Sequence, residues 1–180
     1  MGPDSGRVFD ELLVTLARSG DRRAGERLAA RWRPRLLRTA RRLLGDAEAA
    51  EDAVQEAWAG ISAGWLTLSD PAKFPAWAFG VLRRKCADAI RKKSRERERF
   101  APLNGEEIGA RAPRAETLTA LDQAFASLSH DHRIAAILFF GEGLSLAEIA
   151  HATDAPLGTV KSRLFHARQH LKAALEGAPT

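Results

Sequence analysis

The segment spanning residues 145–175 constrains the fold of this chain most strongly, because it has the layout of two short helices joined by a tight turn. The first helix begins at Ser145 and carries Glu148 three residues later, which is the spacing of a capping box. After a turn at residues 151–155, Pro156 suits the first turn of a second helix, where its missing N–H costs little. The pattern predicts a helix-turn-helix.

The second of these helices is both amphipathic and basic. Its apolar residues recur at steps of three and four, and they are Val160, Leu164, Ala167, Leu171 and Ala174. The opposite face carries Ser162, Phe165, His166 and Gln169, flanked by Lys161, Arg163 and Arg168, with no acid between residues 155 and 175. Such a helix fits the major groove of DNA, where its cations would meet phosphates. A helix with a merely solvated basic face is the alternative, and Phe165, a large apolar residue on the outer face, should have a partner such as a thymine methyl or a protein surface, between which the pattern does not choose.

The composition favours a polyanionic partner and a reducing compartment. The 180 residues carry a net charge of +5, and the one cysteine, Cys86, excludes an intramolecular disulfide. We interpret Cys86 as an inert helix residue. No apolar run is long enough for a membrane span and no signal peptide is present, so we expect a cytoplasmic protein. His166 and His170 lie one turn apart, but no histidine has the spacing of a metal site, and we expect neither metal nor cofactor.

Nearly every periodic segment is helical, which predicts an all-α fold. We expect helices at about residues 5–18, from Asp21 to Gly45, from Asp46 to about residue 63 and at about residues 75–99. Pro34 should kink the second helix or split it in two. We expect residues 64–75 to form a loop with one buried edge, made of Trp65, Leu66, Leu68 and Phe74.

A change in composition divides the chain into two helical domains. Residues 101–113 hold two prolines and two glycines without a stable period, which is typical of a flexible linker. We therefore assign residues 1–97 to a first domain, residues 98–115 to the linker and residues 116–180 to a second domain. The second domain has helices at about residues 116–126 and 130–140, followed by the helix-turn-helix.

Charge is segregated within the first domain. Residues 46–56 hold five acids and no base, a face that would repel DNA and suits a protein partner, although an ordinary solvated helix face is equally consistent. The long helix has the opposite character, with nine Lys and Arg and three acids between Arg83 and Arg99. Its entry carries Phe74, Trp77 and Phe79. Cations beside aromatic rings suit melted DNA, although each ring taken alone is more typical of a core residue.

These segments together resemble the extracytoplasmic-function (ECF) sigma factors of bacterial RNA polymerase. The resemblance rests on AEDAVQEAW at residues 50–58, FPAWAFGVLRRKCADAIRKK at 74–93, residues 128–133, GLSLAEIA at 143–150 and GTVKSRLFHAR at 158–168. It covers nearly the whole chain, and it implies a sigma factor with regions 2 and 4 only.

The resemblance implies a role for each charged surface. Glu51, Asp52, Gln55 and Glu56 would bind the beta-prime clamp helices of core RNA polymerase. The −10 element of promoter DNA would meet Phe74, Trp77, Arg83, Arg84, Arg91 and Lys92. The −35 element would be read by Thr159, Lys161, Ser162, Arg163, His166 and Arg168. The beta flap of the polymerase and an anti-sigma factor are the further partners that the family implies.

Three positions depart from the family pattern. Arg84 stands where the family often has Asn, Ser129 stands where it often has Pro, and His166 replaces a frequent Arg. They leave the promoter sequence open, and His166 raises the hypothesis that −35 contact depends on pH near neutrality. Because no catalytic constellation is present, we do not expect an enzyme. Two alternatives are a helix-turn-helix repressor or activator, against which the acidic helix argues, and a decoy for an anti-sigma factor, against which the basic recognition helix argues.

Overall fold

The computed structural model describes residues 3–100 and 120–176, and in those ranges all regular structure is helical. Domain 1 contains α1 (Pro3–Arg18), α2 (Arg22–Leu44), α3 (Ala47–Gly64) and α4 (Phe74–Phe100), with short 3₁₀ turns at Trp65–Thr67 and Pro71–Lys73. Domain 2 contains α5 (Ala120–Ala126), α6 (His130–Ala136), α7 (Leu146–Thr153) and α8 (Leu157–Glu176), with a π-helical segment at Ile137–Gly141. The all-α prediction with two helical domains is confirmed.

Local capping explains where the helices of domain 1 begin and end. The Asp21 carboxylate accepts hydrogen bonds from the backbone N–H groups of Arg23 and Ala24, at 2.9 and 3.1 Å. α2 ends at Gly45, whose φ of 64° is the left-handed conformation that glycine adopts without strain. Asp46 then caps α3 through the N–H of Ala49, at 3.1 Å. The predicted helix starts at Asp21 and Asp46 and the stop at Gly45 are confirmed.

Pro34 does not divide α2. The helix runs unbroken from Arg22 to Leu44 with Pro34 on its exposed side, so of the two expected outcomes, a kink or a split, the split does not occur. On the opposite side, Leu28, Trp32 and Leu36 are completely buried. Burial of these large side chains on both sides of the proline offsets the loss of one backbone hydrogen bond.

Trp32 lies at the centre of the domain 1 core. Phe74 meets it edge-on with ring centroids 4.9 Å apart, and Phe79 lies at 5.5 Å. Edge-on and tilted aromatic contacts of this kind stabilise a core beyond the area that they bury. They also fix the start of α4 against the middle of α2, which sets the direction in which the long helix leaves the core.

The predicted helix at residues 130–140 is α-helical only in its first part. α6 ends at Ala136 and continues as the π-helical segment, which exposes Phe139 and Phe140 while Ile137 and Leu138 stay buried. α4 continues to Phe100, so residues 98–100, which the prediction assigned to the linker, are helical. Residues 101–119, which contain the rest of that linker and the predicted start of α5, lie outside the described residues.

The two domains pack against each other along α4 and α7. A Cβ built on Gly80 of α4 would lie 3.4 Å from the carbonyl oxygen of Ala152 and 3.5 Å from its Cα. The buried apolar residues of both domains form one continuous cluster. The sequence left open whether the domains pack, and the structure brings them together.

Candidate nucleic-acid interface

The predicted helix-turn-helix is present in domain 2. The backbone N–H of Ser145 donates to Glu148 Oε2 at 2.7 Å, and the N–H of Glu148 donates to Ser145 Oγ at 3.3 Å, which completes the capping box. Asp154 ends α7 in the left-handed conformation with φ of 52°. Pro156 immediately precedes α8 rather than lying inside its first turn, and its carbonyl accepts a hydrogen bond from Val160 at 3.1 Å.

The apolar stripe of α8 is buried as predicted, except at its C-terminal end. Val160, Leu164, Ala167 and Leu171 face the core, whereas Ala174 is exposed. The stripe therefore fixes which side of α8 points outward. Lys161, Ser162, His166 and Arg168 are all exposed on that outer side.

Two predicted −35 residues contact α6. Arg163 forms an ion pair with Asp131 of α6 and keeps only 23% of its side chain exposed. His166 lies beside His132, also on α6, with ring centroids 5.8 Å apart. Thr159 is half-buried, and its carbonyl accepts from the Ser162 hydroxyl at 2.9 Å. Sequence periodicity identified the outer face of α8 but could not reveal these contacts from α6.

Phe165 is 57% exposed on the same face, beside His166. A groove of about 760 Å³ runs between α8 and the α5–α6 connection, and its lining includes His132, His166 and His170. Across the described ranges, 3–100 and 120–176, no group of three or more histidine, cysteine or acidic residues is arranged to hold a metal ion.

The four predicted polymerase-binding residues share one side of α3. Asp52, Gln55 and Glu56 are exposed, and Glu51 is half-buried. Glu51 binds Arg41 at 3.1 Å and approaches Arg33 at 3.7 Å, both from α2. Glu56 binds Lys85 at 3.1 Å. This face therefore combines exposed carboxylates with cations at its edges.

The N-terminus of α3 is tied to α4. Lys93 donates to Asp46 at 3.0 Å, and this bond, with the backbone N–H of Ala49, lowers the pKa of Asp46. The two helices are thereby held side by side, with the acidic face of α3 next to the basic end of α4.

The predicted −10 residues separate into an exposed and a buried group. Arg84, Arg91 and Lys92 are exposed along α4, and Arg91 also pairs with Asp88. Phe74 is completely buried against Trp32, so it is not accessible to DNA in this arrangement. The aromatic spacing that suggested stacking on bases reflects core packing instead.

Trp77 and Arg83 are partly covered. Trp77 is half-buried against Phe74, and a Cβ on Gly64 would come within 2.8 Å of its ring. Arg83 reaches across to domain 2, where its Nε donates to the Ala152 carbonyl at 3.0 Å and its terminal nitrogen donates to Asp154 at 2.8 Å. Arg83 is therefore not available to DNA in this arrangement.

The segment before α4 is only partly the buried edge that the sequence predicted. Leu66 is 61% exposed, whereas Trp65 and Leu68 are half-buried. Trp65 meets Trp58 edge-on at 6.1 Å, and the two line a surface groove of about 350 Å³ together with Ala17 and Ala29. Sequence reasoning missed this groove, since the two tryptophans belong to separate elements.

No helix in the described part of the chain combines the length and the apolar character that crossing a membrane requires.

Comparison with known proteins matches both domains to one family. The model for Sigma-70 region 2 matches residues 28–96, and the model for Sigma-70, region 4 matches residues 118–171. ECF RNA polymerase sigma factor SigL of Mycobacterium tuberculosis is 34% identical over 154 residues, covering 78% of this chain and 82% of the relative. RNA polymerase sigma-H factor of Pseudomonas aeruginosa is 28% identical over 181 residues, covering 93% of this chain and 94% of the relative.

A solved structure extends the similarity to the arrangement of the helices. The sigma factor RpoE of Bartonella quintana, in complex with the anti-sigma factor NepR, superposes with a TM-score of 0.70 at 26% identity. The match covers 86% of this chain and 98% of that one.

Proposed function

The chain belongs to the ECF RNA polymerase sigma factors, which are non-enzymatic transcription initiation factors. We propose which of its surfaces bind core RNA polymerase and which bind promoter DNA. In this proposal α3 binds core RNA polymerase, α4 and the loop before it bind the −10 element, and α8 reads the −35 element. The observation that carries it is the separation of an acidic outer face on α3 from the basic outer face of α8, because one surface cannot suit both a nucleic acid and a cationic protein partner.

The polymerase surface consists of Glu51, Asp52, Gln55 and Glu56. Exposed carboxylates on one side of a helix would repel a DNA backbone, so this face suits basic side chains of a protein. We assign it to the beta-prime clamp helices, and we assign contact with the beta flap to domain 2.

The −10 surface consists of Arg84, Arg91 and Lys92, with Trp77 at its entry. Exposed cations along a helix suit the phosphates of a melted strand. Arg83 joins them only when it leaves Asp154. We do not include Phe74 in the proposed surface, because it is buried in the domain 1 core.

The −35 surface is centred on Lys161, Ser162, His166 and Arg168. These side chains project from the outer side of α8, the position from which a recognition helix reaches base edges and phosphates. Thr159 and Arg163 lie at the margin of this surface. Because Arg163 pairs with Asp131 of α6, we assign it a role in positioning α8 in addition to a phosphate contact.

Regulation by an anti-sigma factor forms part of the proposal, and so does a cytoplasmic location. Its support is that the similar sigma factor of Bartonella quintana was crystallised with the anti-sigma factor NepR.

Run-off transcription with purified core polymerase tests the proposed division of surfaces. The double variant Glu51→Lys/Asp52→Lys should keep its helical circular dichroism but lose both promoter-dependent transcript and competition for core polymerase. The matched control Glu26→Lys/Glu176→Lys makes the same charge change on exposed residues outside α3 and α4 and should transcribe as the wild type does. A double variant that still competes for core polymerase contradicts the assignment of α3.

A second pair of variants tests the −35 surface. Lys161→Ala should weaken promoter binding by the holoenzyme and reduce the salt slope by about one, as expected when one phosphate contact is lost. Lys172→Ala, on the same helix and 71% exposed, is the control and should leave both unchanged. Equal effects of the two substitutions would show that only the overall charge of α8 matters.

A further inference from the structure

The outer face of α8 has two flanks that differ in their cationic side chains. At about 100° per residue, one flank carries Lys161 and Arg168. The other flank carries Arg163, His166 and His170, and it borders α6. An α-helix fills the width of the major groove of DNA, so the phosphates of one strand lie beside each flank. Both flanks of α8 therefore meet phosphates when the helix lies in the groove.

The flank beside α6 offers little free charge from arginine. Arg163 is the only lysine or arginine of α8 on this flank, and it forms an ion pair with Asp131 of α6. Its side chain is only 23% exposed. His166 and His170, in contrast, are both exposed. A phosphate on this flank therefore meets imidazole rings before it meets a guanidinium group.

The groove between α8 and the α5–α6 connection brings three imidazole rings together. His132 of α6 lies beside His166, with ring centroids 5.8 Å apart and ring planes inclined by 35°. His170 follows His166 by one helical turn and lines the same groove. Within the described ranges, no carboxylate lines this groove. The other polar side chains of its lining are uncharged, and they are Ser127, Ser129 and Gln169.

The acids on the elements that pack around these rings are already paired. Asp131 of α6 pairs with Arg163 of α8. Asp122 of α5 pairs with Arg42 of α2, on the side of domain 1. The charge of each acid is thereby offset by a neighbouring arginine. An anion from outside the protein can approach the rings without meeting an unbalanced carboxylate from these two elements.

The remaining charged neighbours on α6 are His130 and Arg133, and neither lines the groove. Burial lowers the pKa of His130, and Arg133 adds to this effect whereas Asp131 opposes it. We therefore expect the His130 imidazole to be neutral at pH 7. The Arg133 guanidinium donates to the carbonyl of Leu128 at 2.9 Å, which directs it towards the backbone. The rings of the groove are thus the groups that can gain charge on this flank.

We propose that His132 and His170 join His166 in binding backbone phosphates of one strand of the −35 DNA, as protonated imidazoles. This inference rests on the proposed role of α8 at the −35 element. It adds a residue of α6, His132, to a DNA surface that otherwise consists of α8. Lys161 and Arg168 serve the other strand in this arrangement.

The closeness of two rings couples phosphate binding to proton uptake. Two imidazolium rings with centroids 5.8 Å apart repel each other, which opposes protonation of both in the absence of an anion. A phosphate beside both rings attracts both charges and offsets this repulsion. Because imidazole in water titrates at about pH 6.5, the affinity for DNA should rise as the pH falls through that region and be lost as the pH rises.

A double substitution in the full chain tests the two added residues. His132→Gln/His170→Gln introduces polar side chains that cannot carry the charge, and it leaves His166 in place. The matched control is His130→Gln/His151→Gln, which replaces the two other histidines of the chain, both outside the groove. Circular dichroism should show the helical content of the wild type for both variants.

Fluorescence anisotropy with a labelled duplex of mixed sequence, about 20 base pairs long, measures the contact, because phosphate contacts do not depend on sequence. Titrations at pH 5.5 and pH 8, between about 50 and 200 mM salt, give the salt slope, to which each neutralised phosphate adds about 0.9. The wild-type slope should be steeper at pH 5.5, and the double variant should lose about two units of that difference. Over this range of salt, the loss amounts to about a tenfold change in relative affinity.

Lys161→Ala separates this proposal from the proposed role of α8. Lysine is charged at both pH values, so this substitution should weaken duplex binding to the same extent at each. If Lys161→Ala weakens binding while the double histidine variant behaves as its control, the histidine contacts are overturned and the role of α8 stands. If Lys161→Ala has no effect at either pH, the role of α8 is overturned and the histidine contacts with it.

The pattern of losses decides the remaining points. A double variant that binds more weakly by the same factor at both pH values would show that charge on the imidazoles is not involved, and would overturn the proposal. An equal loss of slope in His130→Gln/His151→Gln would overturn the assignment to the groove, because any histidine would then suffice. Loss of the acid-dependent slope in His132→Gln/His170→Gln alone supports the proposal in full.

Discussion

The single thiol of the chain lies on the buried side of α4. Cys86 is 1% exposed, and burial raises its pKa to about 12. The cations that precede it, Arg84 and Lys85, therefore do not activate it, because the loss of hydration outweighs their attraction for a thiolate. This placement agrees with the interpretation of Cys86 as an inert helix residue.

We expect native Cys86 to resist alkylation. At pH 8, iodoacetamide should react at least about 100-fold more slowly with the folded protein than with the protein in 6 M guanidinium chloride, because thiolate and access are both lacking. Mass spectrometry over time measures the two rates. Rapid native alkylation would show that α4 opens frequently or that the thiol is not buried in solution.

The sequence predicted which side chains of α8 face outward but not which residues they contact. The periodicity of α8 identified Lys161 and His166 as outward-facing, and both are. Periodicity could not show that Arg163 meets Asp131, since that contact joins residues 32 positions apart. The sequence pattern around Phe74 suggested contact with DNA for a related reason. An aromatic residue near basic residues has the same local pattern whether it stacks on a nucleobase or packs against Trp32.

At the scale of the element, α7 depends on its first turn. Burial acts to raise the pKa of Glu148, but the bonds from Ser145 and the charge and hydrogen bond of Arg7 outweigh it, so the pKa is lowered. A carboxyl whose pKa is lower in the folded state stabilises that state above its unfolded value of about 4.3, and the contribution is lost as the pH falls through the folded value.

The variant Glu148→Gln should therefore lose stability at neutral pH only. Urea unfolding at pH 7 should show a loss of about 1 kcal/mol, since Gln keeps the capping geometry but not the charge. At pH 3 the difference from the wild type should shrink towards zero. The exposed residue Glu26 supplies the control Glu26→Gln, and a loss of equal size at both pH values would mean that packing, not charge, is responsible.

Pro34 lies in the middle of α2, where a proline is not needed to shape the helix. Pro34 is exposed within a continuous helix, so it removes the donor that would bind the carbonyl of Ala30. Pro34→Ala should stabilise the protein by about 1 to 2 kcal/mol, because the regained helix bond outweighs the extra freedom of the unfolded chain. Thermal unfolding measures the shift, with Arg38→Ala as the exposed control on the same helix. An unchanged or lower melting temperature would indicate that Pro34 sets a bend that domain 1 needs.

Helix boundaries were the most predictable feature of this chain, and the reason is local. Asp21, Gly45, Asp46 and Ser145 act on backbone groups within a few residues, so their effects can be read from neighbouring letters. The continuity of α2 through Pro34 and the π-helical segment at Ile137–Gly141 were not predictable in this way. Both depend on packing against parts of the chain that local patterns do not contain.

At the scale of the whole molecule, composition predicted two helical domains but not their contact. The arginines that form ion pairs between the domains are Arg7 in α1, Arg35 and Arg42 in α2 and Arg83 in α4, and the last three each lie near a basic residue that stays exposed. Nothing in its own segment distinguishes Arg35, which binds a buried acid, from Arg38, which is exposed. The packing of the two domains follows from three-dimensional complementarity and therefore appears only in the structure.

A core that continues through both domains should unfold as one unit. Calorimetry of the wild-type chain should give a single transition whose calorimetric and van't Hoff enthalpies agree, because separating the domains exposes apolar surface on both sides. Gly80→Gln places a long side chain against the backbone of Ala152, which lies only 3.4 Å from a Cβ at that position, so the contact between α4 and α7 should weaken. The ratio of calorimetric to van't Hoff enthalpy should then rise above one as the domains unfold independently. Gly158→Gln should keep the single transition. Two transitions in the wild type would mean that the interface is too weak to couple the unfolding of the two domains.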